Sequence, residues 1–268
     1  MRGSDLSRRD VHPRPFVMGI LNVTPDSFSD GGLRMDADAA VRYAFSMSDA
    51  GAEVIDVGAE STRPGFIPVS AEEEISRLIP VLECLSGSLD VPISVDTMKP
   101  EVARAALDAG ADIINDVNAL RAPGMLELAA ETDVPVIMMH MPGDPVSVHA
   151  SVMSDPVIPQ VRAYLSERID SALDAGMRKD NIIIDPGVGF GKTMKQNIEL
   201  VNGLKELDLG VPILAGLSRK RFLSEMYPGT DRDTATVAAS VVAAENGADI
   251  LRVHDVERMC AAVRQMNL

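Results

Sequence analysis

Eight consecutive residues, Asp185-Pro186-Gly187-Val188-Gly189-Phe190-Gly191-Lys192, set a carboxylate, a ring and a lysine on one glycine-dense turn. They follow Asn181-Ile182-Ile183-Ile184, which reads as a short buried strand. A strand that ends in a carboxylate and enters such a turn can bring its backbone close to a ligand. Gly191-Lys192-Thr193 looks like the end of a phosphate-cradling P-loop. That motif needs a glycine where Pro186 stands, so the spacing excludes it. What remains is a strand-end carboxylate with Phe190 on the loop above it. The plainer reading is an aspartate that only caps the next turn.

Polar residues close other apolar runs in the same way. In chain order they are Asn22, Asp56, Asp96, Asn115, His140, Asp185, then Ser218-Arg219-Lys220 and Arg252-Val253-His254. Asp96, Asn115 and Asp185 accept hydrogen bonds from N–H groups, which suits a nitrogen-rich heterocycle. Lys220, Arg252, His254 and Asn22 suit an anion such as phosphate. Asp56 reads as a brace for backbone or a loop. His140, between Met139 and Met141, reads as a satisfied core histidine. No His-x-His or His-Glu-x-x-His spacing occurs, which argues against a zinc hydrolase. No serine sits on a nucleophile elbow.

The elements that must carry these residues announce themselves by repetition. One phrase is a helix end, a glycine and a strand: Asp49-Ala50-Gly51-Ala52-Glu53-Val54-Ile55-Asp56, then Asp108-Ala109-Gly110-Ala111-Asp112-Ile113-Ile114-Asn115, then Glu245-Asn246-Gly247-Ala248-Asp249-Ile250-Leu251-Arg252. Asp174-Ala175-Gly176 before Ile182 is a looser copy. Glycine fits the left-handed position that closes a helix. A second phrase puts proline at a strand's first residue, where no ladder donor is lost: Val91-Pro92-Ile93, Val134-Pro135-Val136 and Val211-Pro212-Ile213. The two phrases alternate and predict eight strands, near 16–23, 53–57, 92–96, 112–117, 135–140, 181–185, 212–217 and 249–253. Helical patterns follow each one. Strand–helix alternation implies a parallel sheet, and eight units in this length fit a (β/α)₈ TIM barrel in a single domain. A doubly wound open sheet is the alternative. In a barrel, strands seven, eight and one are neighbours. The sequence thus predicts a cationic corner of Lys220, Arg252, His254 and Asn22, apart from an acidic wall of Asp96, Asn115 and Asp185. The connections 24–35, 60–69 and 141–155 are long for plain turns, which marks them as functional. The first two, rich in Ser, Thr, Pro and Gly, read as mobile.

Composition sets outer bounds. The chain has 268 residues, 46% hydrophobic, with 40 acidic and 25 basic residues and a net charge of −15. That acidity disfavours nucleic acid and anionic membranes as partners. Cys84 and Cys260 form no disulfide or metal-knuckle pattern, which favours a reducing cytoplasm. No apolar run approaches the roughly 20 residues of a membrane span. Residues 1–14 read as a flexible polar lead-in and 15–268 as the barrel.

Several segments carry a family likeness. They are Gly19-Ile20-Leu21-Asn22-Val23-Thr24-Pro25-Asp26-Ser27-Phe28-Ser29-Asp30-Gly31-Gly32, Asp56-Val57-Gly58-Ala59-Glu60-Ser61-Thr62-Arg63-Pro64-Gly65, Ser94-Val95-Asp96-Thr97, Ile114-Asn115-Asp116, Met139-His140, Asp185-Pro186-Gly187 and Arg252-Val253-His254-Asp255. Together they resemble the dihydropteroate synthase family from Gly19 to Val256. That family joins 6-hydroxymethyl-7,8-dihydropterin pyrophosphate to p-aminobenzoate and releases pyrophosphate. The resemblance implies that Asp96, Asn115, Asp185 and Lys220 hold the pterin, with Met139 in the same site. It implies that Asn22, Arg252 and His254 hold the diphosphate, with Mg2+ at Asn22. Thr62, Arg63, Pro64 and Phe190 would shape the aminobenzoate site, and Phe28 and Asp30 lie on the first long loop. Asp96, Asp185, Lys220, Arg63, Asp30 and Phe28 would form the catalytic set. Arg221 stands where many members carry serine, and an arginine can also bind the substrate carboxylate. A cytoplasmic homodimer is implied too. The rival readings are a pterin-dependent methyltransferase on a similar barrel and a pterin-binding paralogue without turnover.

Overall fold

The computed structural model describes residues 14–24, 33–60, 68–143 and 152–266. Its strands are β1 Phe16–Asn22, β2 Val54–Gly58, β3 Ile93–Asp96, β4 Ile113–Asp116, β5 Val136–Met139, β6 Ile182–Asp185, β7 Leu214–Ala215 and β8 Ile250–Val253. All pair in parallel, in the order β6-β5-β4-β3-β2-β1-β8-β7. A parallel bridge between Ile184 and Ile213 joins the two ends, so the sheet closes into the expected barrel. The open doubly wound sheet is thereby excluded. Helices α1 Leu33–Ala50, α2 Ala71–Leu85, α3 Pro100–Asp108, α4 Met125–Thr132, α5 Val157–Asp174 and α6 Met194–Asn202 follow the first six strands. Two helices follow β7, α7 Arg221–Met226 and α8 Arg232–Glu245, and α9 Val256–Val263 follows β8.

Local chemistry explains the boundaries. Pro100 opens α3, where its missing N–H has no intrahelical partner to lose. Thr193 and Gln196 form a reciprocal capping box at α6. The Asp231 carboxylate caps α8 through Asp233 N and Thr234 N. Strand β7 was expected over 212–217 but spans two residues. Pro212 has no N–H, and Ile213 N bonds the Asp249 side chain at 2.8 Å instead of a strand carbonyl. Among the described residues, no helix is long and apolar enough to cross a membrane.

The alternating phrases correspond to alternating strands. Ile55, Ile114 and Ile184, on β2, β4 and β6, donate their N–H groups to the carbonyls of Pro92, Pro135 and Pro212. In return, the acid that opens the other phrase clamps its neighbour. Glu53 Oε2 accepts from Val17 N at 3.1 Å, Asp112 Oδ2 from Ile93 N at 2.9 Å and Asp249 Oδ2 from Ile213 N at 2.8 Å. Backbone bonds from Glu53, Asp112 and Asp249 to the same three residues complete each clamp. The looser copy lacks this clamp; there Asn181 Nδ2 reaches Asp133 O at 2.7 Å.

Both faces of the strands are covered, so they are near-continuous apolar runs. The outer face packs on the helices in the larger core. Phe16, Met18, Val54, Ile113, Ile137, Ile183, Leu214 and Ile250 plug the inside of the barrel. Side chains alternate across a strand. The next inward positions are therefore Asp56, Asn115, Met139, Asp185, Gly216 and Arg252, and the polar groups gather above an apolar floor.

The clamps sit at the amino ends of the strands, far from that polar layer. Asp112→Ala should lower the unfolding free energy by about 1 kcal/mol, one hydrogen bond's contribution. Urea denaturation would show it, with turnover unchanged at 25 °C. Unchanged stability together with lost turnover would place Asp112 in the wrong half of the barrel.

Candidate active site

The carboxyl ends of the strands bring the expected residues into one layer. Register pairs Gly58 with Asp96, Asp96 with Asn115, and Met139 with Asp185. At Gly58 an added Cβ would lie 3.3 Å from the Asp96 Cβ, a tight contact that glycine avoids. Asp56 is wholly buried and faces two strands. Its Oδ2 accepts from Asn115 Nδ2 at 3.1 Å and from Arg252 Nε at 2.6 Å. The expectation that Asp56 braces backbone is corrected: it braces two side chains of the site. Its Oδ1 has no hydrogen-bond partner among the described residues.

The expected separation of cations from acids fails at Arg252. Its guanidinium bonds both Asp56 and Asp96, with Nη2 2.6 Å from Asp96 Oδ2. The sequence put Arg252 in a separate corner because it could not supply the register that carries the side chain across the barrel. Lys220 also turns toward the acids. Its ammonium donates to Val188 O and lies 4.6 Å from the Phe190 ring centroid. His254 stays at the β8–β7 side, where its Nδ1 lies 2.8 Å from Ser218 Oγ. Asn22 ends β1, half-buried. Arg221 follows Lys220 at the start of α7, its side chain exposed and 3.9 Å from Glu225.

Burial and neighbouring charge shape the titration of this layer. Asp96 is pushed up to about 7 by burial, with Arg252 pulling it down and Asp56 pushing it up. Asp185 is raised by burial, against the pull of Lys220 and the Gly187 N–H. Lys220 is lowered to about 8 by burial, with Asp185 opposing. Asp96 is therefore poised between acceptor and donor roles.

Sequence reasoning missed most of the apolar wall. Val117, Met139 and Met141 form a separate buried cluster, with Met98 and Phe190 packed against it. Met98, Val117 and Met141 each lie two residues past Asp96, Asn115 and Met139, so the period of a strand could have found them. This wall offers flat apolar surface beside the acceptors, as a heterocyclic ring requires.

Asn22 is the residue at which magnesium is expected. Asn22 makes no side-chain hydrogen bond among the described residues, which leaves its carboxamide oxygen for a cation. No cluster of three His, Cys, Asp or Glu that could cage a metal occurs among the described residues. One protein oxygen is the usual pattern for an ion that keeps its waters and takes its other ligands from substrate phosphates. Phe28, Asp30, Thr62, Arg63 and Pro64 lie outside the described residues.

Asp96 supplies a pH test. A carboxyl raised in the folded state binds more protons there than in the unfolded chain. Its contribution to stability is therefore lost as pH rises from about 4 to about 7 and is constant above that. Asp96→Asn should flatten the stability profile of the ligand-free protein between about pH 4 and about 7. Denaturation at several pH values would decide; an unaltered slope would mean that Asp96 is ionised throughout.

Comparison with known proteins agrees with this geometry. The family model described as "Pterin binding enzyme" matches residues 18–254. The dihydropteroate synthase of Escherichia coli (strain K12) is 47% identical over 253 residues, covering 93% of this chain and 90% of the relative. A Xanthomonas albilineans dihydropteroate synthase solved with 4-aminobenzoic acid superposes with a TM-score of 0.89 at 49% identity, covering 94% of this chain and 92% of that one. The same organism's enzyme in complex with 7,8-dihydropteroate gives a TM-score of 0.85 at 46% identity, covering 94% and 92%. On its fold, its strand-end residues and these likenesses, the chain belongs to the pterin binding enzymes and, among them, to the dihydropteroate synthase family.

Proposed function

We propose that the chain condenses 6-hydroxymethyl-7,8-dihydropterin pyrophosphate with p-aminobenzoate, giving 7,8-dihydropteroate and pyrophosphate. One observation carries the reading. A single end of the barrel joins acceptors for ring N–H groups, an apolar wall for the ring's faces and cations for an anionic leaving group. The pterin N–H groups bond Asp96, Asn115 and Asp185, while Met139 and Phe190 flank the ring. Lys220, over Phe190, holds the pterin's acceptor edge. Arg252, His254 and Asn22 receive the diphosphate. Asn22 would hold a magnesium ion, which would supply further charge neutralisation for the diphosphate.

Chemistry follows from charge. The bond between the methylene carbon and the diphosphate oxygen breaks, and its electron pair leaves with the diphosphate. Arg252 and His254 stabilise that departing charge. The methylene becomes electron-poor, and the Asp96 and Asp185 carboxylates stabilise it. The neutral aniline nitrogen of p-aminobenzoate attacks and then loses a proton. Arg221, next to Lys220, is the group we assign to the p-aminobenzoate carboxylate, where a guanidinium can bind both oxygens. On family grounds, Thr62, Arg63 and Pro64, with Phe190 between the two rings, complete the aminobenzoate site, Phe28 and Asp30 join the catalytic set, and the enzyme is a cytoplasmic homodimer.

The test is pyrophosphate release from the pterin diphosphate. It should require p-aminobenzoate, and release without the amine, or none with it, would sink the reading. Asp185→Asn should weaken pterin binding by about 2–4 kcal/mol, because a charge-assisted bond is lost and a wrong donor faces the ring. Calorimetry with a folded variant that binds pterin as tightly as the wild type would remove Asp185 from the site.

A further inference from the structure

Lys192 is a buried cation that the reaction above does not use. It belongs to the Gly-Lys-Thr stretch whose spacing excluded a P-loop. Its Nζ lies 2.8 Å from Gly187 O, 3.0 Å from Phe190 O and 3.0 Å from His140 Nδ1. An ammonium has three N–H donors and no acceptor, so these three acceptors match it one for one. His140 Nδ1 therefore accepts, and the ring's own hydrogen sits on Nε2. His140 cannot compete for the proton, because burial and the lysine charge push it down to about 3.

The three acceptors join two parts of the site. Gly187 and Phe190 lie on the loop after β6, and His140 follows β5. Asp185 begins that loop, and its carbonyl accepts from His140 N at 2.8 Å. Phe190 ends it, with its N–H 3.1 Å from Gly187 O. The approach is so close that a Cβ on Gly187, at φ +64°, would lie 1.9 Å from His140 O. Drawn inward at both carbonyls, the loop presents the Asp185 carboxylate and the Phe190 ring to the same space. Asp185 Oδ1 also accepts from Gly187 N at 2.7 Å, so the segment fixes the carboxylate directly.

A buried ammonium is costly, and here burial and Lys220 push Lys192 down to about 7, with Asp185 opposing. Lys220, Asp185 and His140 are the titratable groups that face it. An apolar side chain of the same length would fill the space without that cost. Such a side chain could not gather two carbonyls and an imidazole at one point, because it has no N–H to donate.

We propose that Lys192 is a positioning residue for the pterin: its ammonium folds the 187–190 segment so that Asp185 and Phe190 meet one ring. The proposal rests on the functional reading above. It places the effect of Lys192 on pterin affinity and not on the diphosphate contacts at Arg252 and His254.

Calorimetry with 6-hydroxymethyl-7,8-dihydropterin and, separately, with inorganic pyrophosphate and magnesium tests this. Lys192→Met keeps the length and removes every donor; Lys192→Arg keeps a cation and its donors. Lys192→Met should raise the pterin dissociation constant by about tenfold or more, with the pyrophosphate constant within about twofold of wild type. Lys192→Arg should recover part of the pterin loss. Unchanged pterin affinity in Lys192→Met, equal losses for both ligands, or failure of both variants to fold would overturn the proposal. The first leaves the loop independent of Lys192, and the others make the lysine a residue of the fold. The wild type is the control for the function: if it binds no pterin, the functional reading fails, whereas a difference between wild type and variant concerns Lys192.

Discussion

One guanidinium sets the terms for the upper layer of this barrel. Arg252 lies between Asp56 and Asp96, 2.6 Å from each. Without a cation, two carboxylates on neighbouring strands would face each other in a buried layer, where an unpaired charge is costly. With Arg252 there, Asp56 stays in place to hold the Asn115 carboxamide, and Asp96 is left facing the cavity above the apolar floor. The acceptor pattern of the site thus depends on a contact between β8 and two strands beyond β1.

That contact also joins functions that charge alone would separate. A cation reserved for a leaving diphosphate would sit far from the acids that hold a pterin. Here the same guanidinium neutralises Asp96 and stands beside His254 at the diphosphate side. Ring and leaving group are bonded to one methylene, so a shared residue is a natural outcome of fitting both into one barrel mouth. On the proposed reading, the wall of Met98, Val117, Met139, Met141 and Phe190 would exclude water from one side of the ring. In a drier site the carboxylates act more strongly on developing positive charge.

The barrel was legible because its signals are local and repeated. Glycine after a helix and proline at a strand start each have a meaning within a few residues. Their alternation counted the strands and exposed the strand ends, so Asp96, Asn115, Asp185 and Arg252 could be named from their places alone. Three things stayed hidden. The partners of Asp56 and Arg252 lie 59 and 196 residues away, and only strand register brings them together. Of the apolar wall, Met139 and Phe190 were named, but Met98, Val117 and Met141 were missed although their period-two spacing carried a signal. Lys192 was read only against a phosphate loop, and its true partners, backbone carbonyls and an imidazole, leave no mark in sequence.

The central claim is that Arg252 organises the acidic layer as a unit with Asp56. A double-mutant cycle measures it most directly: urea unfolding of the wild type, Asp56→Asn, Arg252→Met and the double variant. The account predicts that the single losses do not add, with a coupling energy of about 2 kcal/mol or more, because each variant removes a buried charged partner of the other residue. Additivity within about 0.5 kcal/mol would contradict it and would leave the two residues as independent neighbours.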